Sequence, residues 1–158
     1  MTVVSNTTPL NYLVLIGRAE IFSALYAQVI IPQAVFAELT STKAPAEVSA
    51  WVTGKPTWLT VEQAPYLNDA ELDEIQIGER EAILLAELIR ADFVVLDDRK
   101  ARRIAAGRGL NVIGTLGILT TAAEKGLITL SDALDDLKKT SFRASDRLLE
   151  LLLQQERE

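Results

Sequence analysis

The sequence contains neither cysteine nor histidine. The lack of cysteine rules out a disulfide framework and fits a reducing compartment. The lack of both residues excludes Ser-His-Asp catalysis, Cys-His catalysis and zinc sites built from Cys and His. Carboxylates, hydroxyls, amides and lysine are left for chemistry, and most of these groups offer the hard oxygen atoms that match Mg²⁺ or Mn²⁺.

The chain also lacks long apolar runs and an excess of positive charge. No apolar stretch approaches the roughly 20 residues that a membrane span needs, and the N-terminus has neither the basic start nor the apolar core of a signal peptide. The formal net charge of −6 argues against indiscriminate coating of nucleic acid but permits a local basic strip. We therefore expect a soluble, cytoplasmic protein.

The length of 158 residues and the 49% hydrophobic content suit one compact fold with a full core. Strand-like apolar runs alternate with helical patterns, which is typical of an α/β fold around a parallel sheet. Residues 93–96 are a continuous run of β-favouring residues, which predicts a strand buried on both faces. The polar, acidic and poorly periodic residues 63–76 predict a surface loop.

Two adjacent aspartates, Asp97 and Asp98, follow the strand at residues 93–96, where the chain turns into a helix. In open α/β sheets the crevice beyond the carboxyl ends of the strands is where ligands bind, so two acids there indicate a metal or phosphate site. Either aspartate alone is more often a helix cap than a catalytic group. The pair weakens that interpretation, because one cap needs one acceptor.

Other polar side chains also fall at the ends of predicted strands. Asn6 comes directly after the strand-like run at residues 2–5, and Thr115 comes just past the last strand. Glu38 lies at the margin of the buried face of its helix, where an acid is unusual. A solvated glutamate at the edge of that face is the plainer interpretation of Glu38 alone.

Two glutamates, Glu79 and Glu81, occupy the first turn of a strongly periodic helix at residues 78–90, where the helix dipole favours acids. Because they are two positions apart, they cannot share a face. Glu81 projects with Leu85 and Leu88, and Glu79 projects with Ala82, Ile83 and Ala86. The sequence leaves open which glutamate turns inward.

The helix after Asp98 carries five positive charges, on Arg99, Lys100, Arg102, Arg103 and Arg108. A solvated face explains such a run equally well. However, Arg99 and Lys100 lie at the N-terminal end of the helix, where the dipole disfavours cations. Neighbouring carboxylates or a phosphate backbone would offset that cost.

The order of these acids along an alternating α/β chain resembles the PIN domain. Four segments resemble, more closely, a prokaryotic PIN-like group related to VapC-type toxins: residues 3–10 (VVSNTTPL), 78–83 (GEREAI), 96–103 (LDDRKARR) and 114–117 (GTLG). The resemblance implies a Rossmann-like three-layer α/β/α fold with a central parallel sheet in residues 1–126. The helical remainder, residues 127–158, is then a C-terminal extension that packs on the same domain.

The resemblance also implies a metal-dependent ribonuclease that cleaves phosphodiester bonds of RNA, with single-stranded RNA as the expected substrate and Mg²⁺ or Mn²⁺ as the cofactor. It gives four positions a place in the metal site: Asn6 for the first aspartate, Glu38 for the second acid, Glu81 for the third and Asp98 for the fourth. Asp97 is the second choice beside Asp98, Glu79 can substitute for Glu81, and Thr115 is accessory. The basic residues Arg99, Lys100, Arg102 and Arg103 would hold the RNA backbone by contacts that carry no sequence information.

Asn6 departs from the family pattern, because an amide oxygen can bind a metal but brings no negative charge. Two interpretations follow. The site remains active with weaker metal binding, or the protein is an inactive relative that binds RNA or a partner. The expected partners are a cognate antitoxin and a second copy of the chain, the latter through the leucine-rich face of the last helix, whose alternative role is packing on its own core.

Overall fold

The computed structural model describes residues 1–157, which form a five-stranded sheet between two layers of helices. The strands are β1 (Thr2–Ser5), β2 (Gln28–Pro32), β3 (Leu59–Glu62), β4 (Phe93–Val95) and β5 (Val112–Ile113). They lie in the order β3-β2-β1-β4-β5, and every neighbouring pair is parallel. Parallel neighbours need crossover connections, which the helices between them supply. The predicted three-layer α/β fold with a central parallel sheet is confirmed.

The helices of the described residues are α1 (Thr7–Leu15), α2 (Ile21–Leu25), α3 (Gln33–Leu39), α4 (Ala46–Thr53), α5 (Ile77–Ile89), α6 (Arg99–Gly107), α7 (Thr115–Glu124), α8 (Leu130–Lys138) and α9 (Asp146–Arg157). Successive strand residues point to opposite faces of the sheet, so each strand feeds two cores. Val3 packs in the core that includes α1, α7 and α8, whereas Val4 packs in the core of α5 and α6.

The C-terminal helices lie on the same core as α1 and α7. Leu130, Leu134 and Leu137 of α8 are buried there, and so is Leu149 of α9. On the outer side of α9, Leu148 and Leu151 stay 41% and 46% exposed. The boundary at residue 126 stays a prediction, and residue 158 of the predicted extension lies outside the described residues.

The acidic segment between β3 and α5 is pinned to the helices by two arginines. Nη1 of Arg108 lies 2.9 Å from Asp69 and 3.1 Å from Glu71, and its Nη2 lies 2.7 Å from Glu87 on α5. Arg80 pairs with Asp73 further along the segment. We call the carboxylates around Arg108 the paired cluster. Arg108 therefore belongs to the packing of the fold, in contrast to the four other basic residues predicted on its helix.

Every helix in residues 1–157 is too short or too polar to cross a membrane.

Candidate metal centre

The carboxyl ends of β1 and β4 lie side by side and bring Asn6 next to the chain that leads to the two aspartates. Ser5 is paired with Val95, and the backbone N–H of Asn6 donates to the carbonyl oxygen of Val95 at 3.0 Å. Asn6 is buried, as expected for a side chain enclosed by the helices that start at this edge. The crevice predicted from the strand ends is therefore present.

The N-terminus of α5 packs against this edge through Gly78. A Cβ atom at Gly78 would lie 3.1 Å from Oδ1 of Asn6 and 3.4 Å from Oε2 of Glu38, so the absence of a side chain lets both oxygens approach the helix start. The hydroxyl of Thr7 donates to Oε2 of Glu38 at 3.0 Å. This bond turns the exposed Glu38 from its helix edge toward the start of α1.

Glu79 is the buried acid of the site, with 7% of its surface exposed. Burial raises the pKa of the Glu79 carboxyl, and the charges of Asp98 and Glu38 raise it further, whereas the hydrogen bond from the N–H of Gln76 acts in the opposite direction. Glu79 and Asp98 line the same cleft, and Glu38 reaches Gly78, the residue next to Glu79. We call these three carboxylates the unpaired cluster.

The unpaired cluster has no basic partner among the side chains that the structure describes. Its hydrogen bonds come from neutral groups only, namely Thr7, the N–H of Gln76 and the N–H of Ala101. Each of these bonds leaves other lone pairs of the carboxylates available. The cluster therefore holds negative charge that no side chain described in the structure neutralises by an ion pair.

The two adjacent aspartates have different surroundings. Asp98 caps α6, and its Oδ2 accepts from the N–H of Ala101 at 2.9 Å, so the capping interpretation is correct for this residue. Asp97 engages both oxygens, which accept from the N–H and the hydroxyl of the buried Thr115 at 2.8 and 2.5 Å. Asp97 thus fixes the start of α7, and Asp98 is the aspartate with an uncommitted oxygen.

The structure does not bring Glu81 to these acids. Its Oε1 accepts from the N–H of Ala34 at 3.1 Å, which satisfies a backbone donor at the start of α3. Glu81 lines a separate groove together with Pro65 and Leu84. Since side chains two positions apart on a helix point in different directions, one of the two glutamates faces inward, and it is Glu79. Glu79 therefore replaces Glu81 as the third acid in the site that we propose, and the assignment of either glutamate stays a prediction.

A cleft of about 1430 Å³ opens beside the acids. Four basic side chains of α6 line it together with Glu79, Asp97 and Asp98: Arg99, Lys100, Arg102 and Arg103. Arg102 is held most firmly, because its Nη1 donates to the carbonyl oxygen of Leu96 at 2.9 Å. A Cβ at Gly114 would lie 2.7 Å from this Nη1 and 2.8 Å from Oδ1 of Asp97, so any side chain here would displace Arg102 or Asp97.

The donor set suits a hard divalent cation, since it consists of carboxylate and amide oxygens with negative charge in excess. In the described residues, no three acidic side chains are close enough as they stand to hold a metal ion. Glu38 and Asp98 are exposed, however, and exposed side chains change rotamer readily. The residues fit a divalent ion in the chemistry of their donor atoms, and holding one would require Glu38 or Asp98 to change rotamer.

A comparison with protein-family models agrees with this architecture. The model of DUF3368, a PIN domain, matches residues 2–158. No curated protein and no solved structure matches the chain. The match extends over α8 and α9 and includes every residue of the unpaired cluster. With its parallel sheet, its acids at the carboxyl edge and a nuclease-type fold throughout, the chain belongs to the PIN-domain family.

Proposed function

We propose that this protein is a Mg²⁺- or Mn²⁺-dependent endoribonuclease that cleaves RNA at the unpaired cluster. The observation that carries the proposal is a set of three carboxylates, Glu38, Glu79 and Asp98, that pair with no cation among the described side chains. Burial raises the pKa of Glu79, and the charges of Asp98 and Glu38 raise it further. An acid with a raised pKa in a cleft is typical of functional sites. Membership of the PIN-domain family supports the same activity.

Four side chains would hold the ion: Asn6, Glu38, Glu79 and Asp98. A divalent ion, when bound, supplies Lewis-acid polarisation of the scissile phosphate and neutralises its charge. Asp97 keeps the β4–α6 corner in place through Thr115, which makes both of them supporting residues. Asn6 contributes an oxygen without charge, so its contribution to affinity is weaker than that of an aspartate.

The protein's own groups prepare this site in two ways. Burial raises the pKa of Glu79, and cation binding needs its carboxylate form, so binding should grow stronger as the pH rises through that pKa. Arg102 is fixed beside the strand end by Leu96, where its guanidinium can meet a phosphate with two parallel N–H groups. Arg99, Lys100 and Arg103 are exposed and follow the RNA backbone with less constraint.

Matched glutamine variants of the two neighbouring glutamates test the site. With Mn²⁺ and a labelled single-stranded RNA, the wild-type protein should cleave, and Glu79→Gln should lose roughly 100-fold or more of the rate. Glu81→Gln should retain the wild-type rate, because its carboxylate serves the start of α3. Asp98→Asn, which preserves the cap, should lose activity to the same degree as Glu79→Gln. Retained activity in both of these variants would remove the proposal.

Asn6 favours a second candidate, a PIN fold that binds RNA or a partner without cutting it. The candidates separate on one measurement, because a binding module should retain RNA in a filter or anisotropy assay yet release no product with any divalent ion. Full-length RNA after prolonged incubation with Mn²⁺ would select the binding module.

The resemblance to VapC-type toxins extends the proposal to a growth inhibitor controlled by an antitoxin. Induced expression in a bacterial host should then arrest growth, and Glu79→Gln should relieve the arrest. Co-expression of a small protein encoded beside this chain should also restore growth.

The exposed Leu148 and Leu151 support a homodimer, which light scattering tests directly.

A further inference from the structure

The cleft beside the acids has a second wall, which lies outside α6. It is built by Ser141, Phe142 and Arg143, in the connection between α8 and α9. These residues line the same cleft as the basic residues of α6 and as Glu79 and Asp98. We call this segment, residues 141–143, the second wall.

The second wall is fixed to the domain by α1. The hydroxyl groups of Tyr12 and Ser141 are joined by a hydrogen bond of 2.8 Å. The rings of Tyr12 and Phe142 meet edge to face, with 5.1 Å between centroids and an interplanar angle of 81°. The N–H of Phe142 also donates to the hydroxyl of Thr140 at 3.1 Å. The segment is therefore a positioned surface rather than a loose connection.

The charge of the second wall is available to a ligand. Arg143 is exposed, and among the described side chains no carboxylate forms an ion pair with it. The cleft that it borders is also lined by four cations of α6 and by the carboxylates of Glu74, Glu79, Asp97 and Asp98. Because the cations lie on α6 and at Arg143, a polyanion in the cleft meets positive charge on two walls.

We propose that the second wall binds single-stranded RNA next to the cleavage site. Arg143 contacts a backbone phosphate, and the Tyr12–Phe142 pair offers a ring on which an unpaired base stacks. A base inside a duplex is already stacked and paired, so an aromatic platform selects a strand whose bases are free. The inference rests on the proposed function for the choice of RNA, but it adds a contact site that the acids and α6 do not supply.

Binding is measured without divalent ions, in EDTA, so that it is independent of cleavage. The anisotropy of a labelled single-stranded RNA should show a Kd about 3- to 10-fold weaker for Arg143→Gln, and the slope of log K against log salt should fall by about 0.7. Arg147→Gln is the matched control. Arg147 is an exposed arginine in the next helix that does not line the cleft, so its variant should bind as the wild type does.

Phe142→Leu tests the platform while an apolar group remains against Tyr12. It should weaken binding roughly 5-fold or more, since stacking of a base on an aromatic ring is worth about 1–3 kcal/mol. A thermal melt checks that Phe142→Leu is folded, and Tyr12→Phe, which retains the ring, serves as a milder second variant. A duplex of the same sequence should bind more weakly than the single strand.

Equal affinity and equal salt slope for Arg143→Gln and Arg147→Gln would overturn the second wall as a binding site, and so would tighter binding of the duplex. These failures differ from failure of the proposed function. If the wild type binds single-stranded RNA with the expected variant effects yet never cuts it, the second wall stands and the nuclease does not. If it cuts RNA while all variants bind alike, the nuclease stands and the second wall does not.

Discussion

Acidic side chains gather in two regions of this molecule, and the protein treats them in opposite ways. In the paired cluster, hydrogen bonds from Arg108, first of all to Glu87, raise the pKa of the guanidinium and neutralise the carboxylates around it. In the unpaired cluster, burial and neighbouring charges raise the pKa of Glu79. Carboxylates in the first region stabilise the fold, whereas those in the second hold charge that a ligand can neutralise.

The difference shows that the number of acidic residues in a region is a poor guide to its function. Whether their carboxylates pair with a basic side chain is a better guide. Both regions border α5 or α6, and both are acidic. When an arginine of the same chain pairs with a cluster of carboxylates, their negative charge is neutralised and the cluster serves to hold the fold together. A group without that cation remains open to an external one. Substitutions that remove the cation of the paired cluster, or change the charge of the unpaired cluster, test this difference.

Removal of the internal cation should have the largest effect on stability. Arg108→Met leaves the carboxylates of the paired cluster facing one another and should lower the free energy of unfolding by about 2 kcal/mol, with a Tm lower by roughly 4–8 °C. Although burial acts in the opposite direction, the bonds and charge of Arg108 lower the pKa of Asp69. This stabilisation is present above the ordinary pKa of aspartate and is lost as the pH falls through the lowered value. Calorimetry at pH 7 and pH 3 should show the deficit shrinking with acid.

An added charge should sharpen the contrast at the unpaired cluster. Asn6→Asp places a fourth carboxylate beside Gly78 and should tighten Mn²⁺ binding roughly 10-fold, because hard ions favour charged ligands. Isothermal titration calorimetry measures the change. Asn68→Asp, an exposed substitution in the acidic segment, is the control and should leave the affinity unaltered. Unchanged affinity in Asn6→Asp would place the ion elsewhere.

Neutralisation of the buried acid should produce the smallest effect, in the direction opposite to that of Arg108→Met. Glu79→Gln removes the repulsion from Asp98 and Glu38 and should raise the Tm of the metal-free protein by roughly 2 °C at pH 8. Since the folded-state pKa of Glu79 is raised, the stabilisation given by its protonated form is complete below the ordinary glutamate pKa and is lost as the pH rises through the raised value. The gain should therefore vanish near pH 4 in a scanning melt. A gain of the same size in Glu81→Gln would contradict the assignment of Glu79.

Much of the fold follows from local patterns in the sequence. The apolar runs predict the strands β1 and β4, and the periodicity at residues 78–90 predicts α5 almost to its ends. These features depend on residues close together in the chain, where hydrophobic spacing determines which face is buried. The position of the two adjacent aspartates, Asp97 and Asp98, follows from the same patterns, because a buried strand that turns into a polar helix places them at the sheet edge.

The choice between the two glutamates of α5 had only a weak signal in the sequence. Glu79 shares its face with Ala82, Ile83 and Ala86, all of which are buried, whereas the face of Glu81 reaches Leu88, which is 61% exposed. A comparison of whole faces therefore favours Glu79, but exposure of a leucine is not readable from sequence. The fold adds a stronger argument for Glu79, because the N–H of Ala34 at the start of α3 donates to the carboxylate of Glu81.

The basic residues show the same division. Their number in and just after α6 is a property of the sequence, but only the fold brings three carboxylates around Arg108. The second wall is likewise invisible in the sequence, since Tyr12 and Ser141 are joined across 129 positions of chain separation. No local pattern predicts a contact over such a distance.

The sequence by itself determined the α/β alternation, the absence of Cys and His chemistry and the acids at strand ends, because each depends on composition or on neighbours along the chain. Only the tertiary structure decided which acids are neutralised by arginine and which are left without a cation. Charge interactions depend on distance and burial in space rather than on position in sequence, and those quantities exist only once the chain has folded.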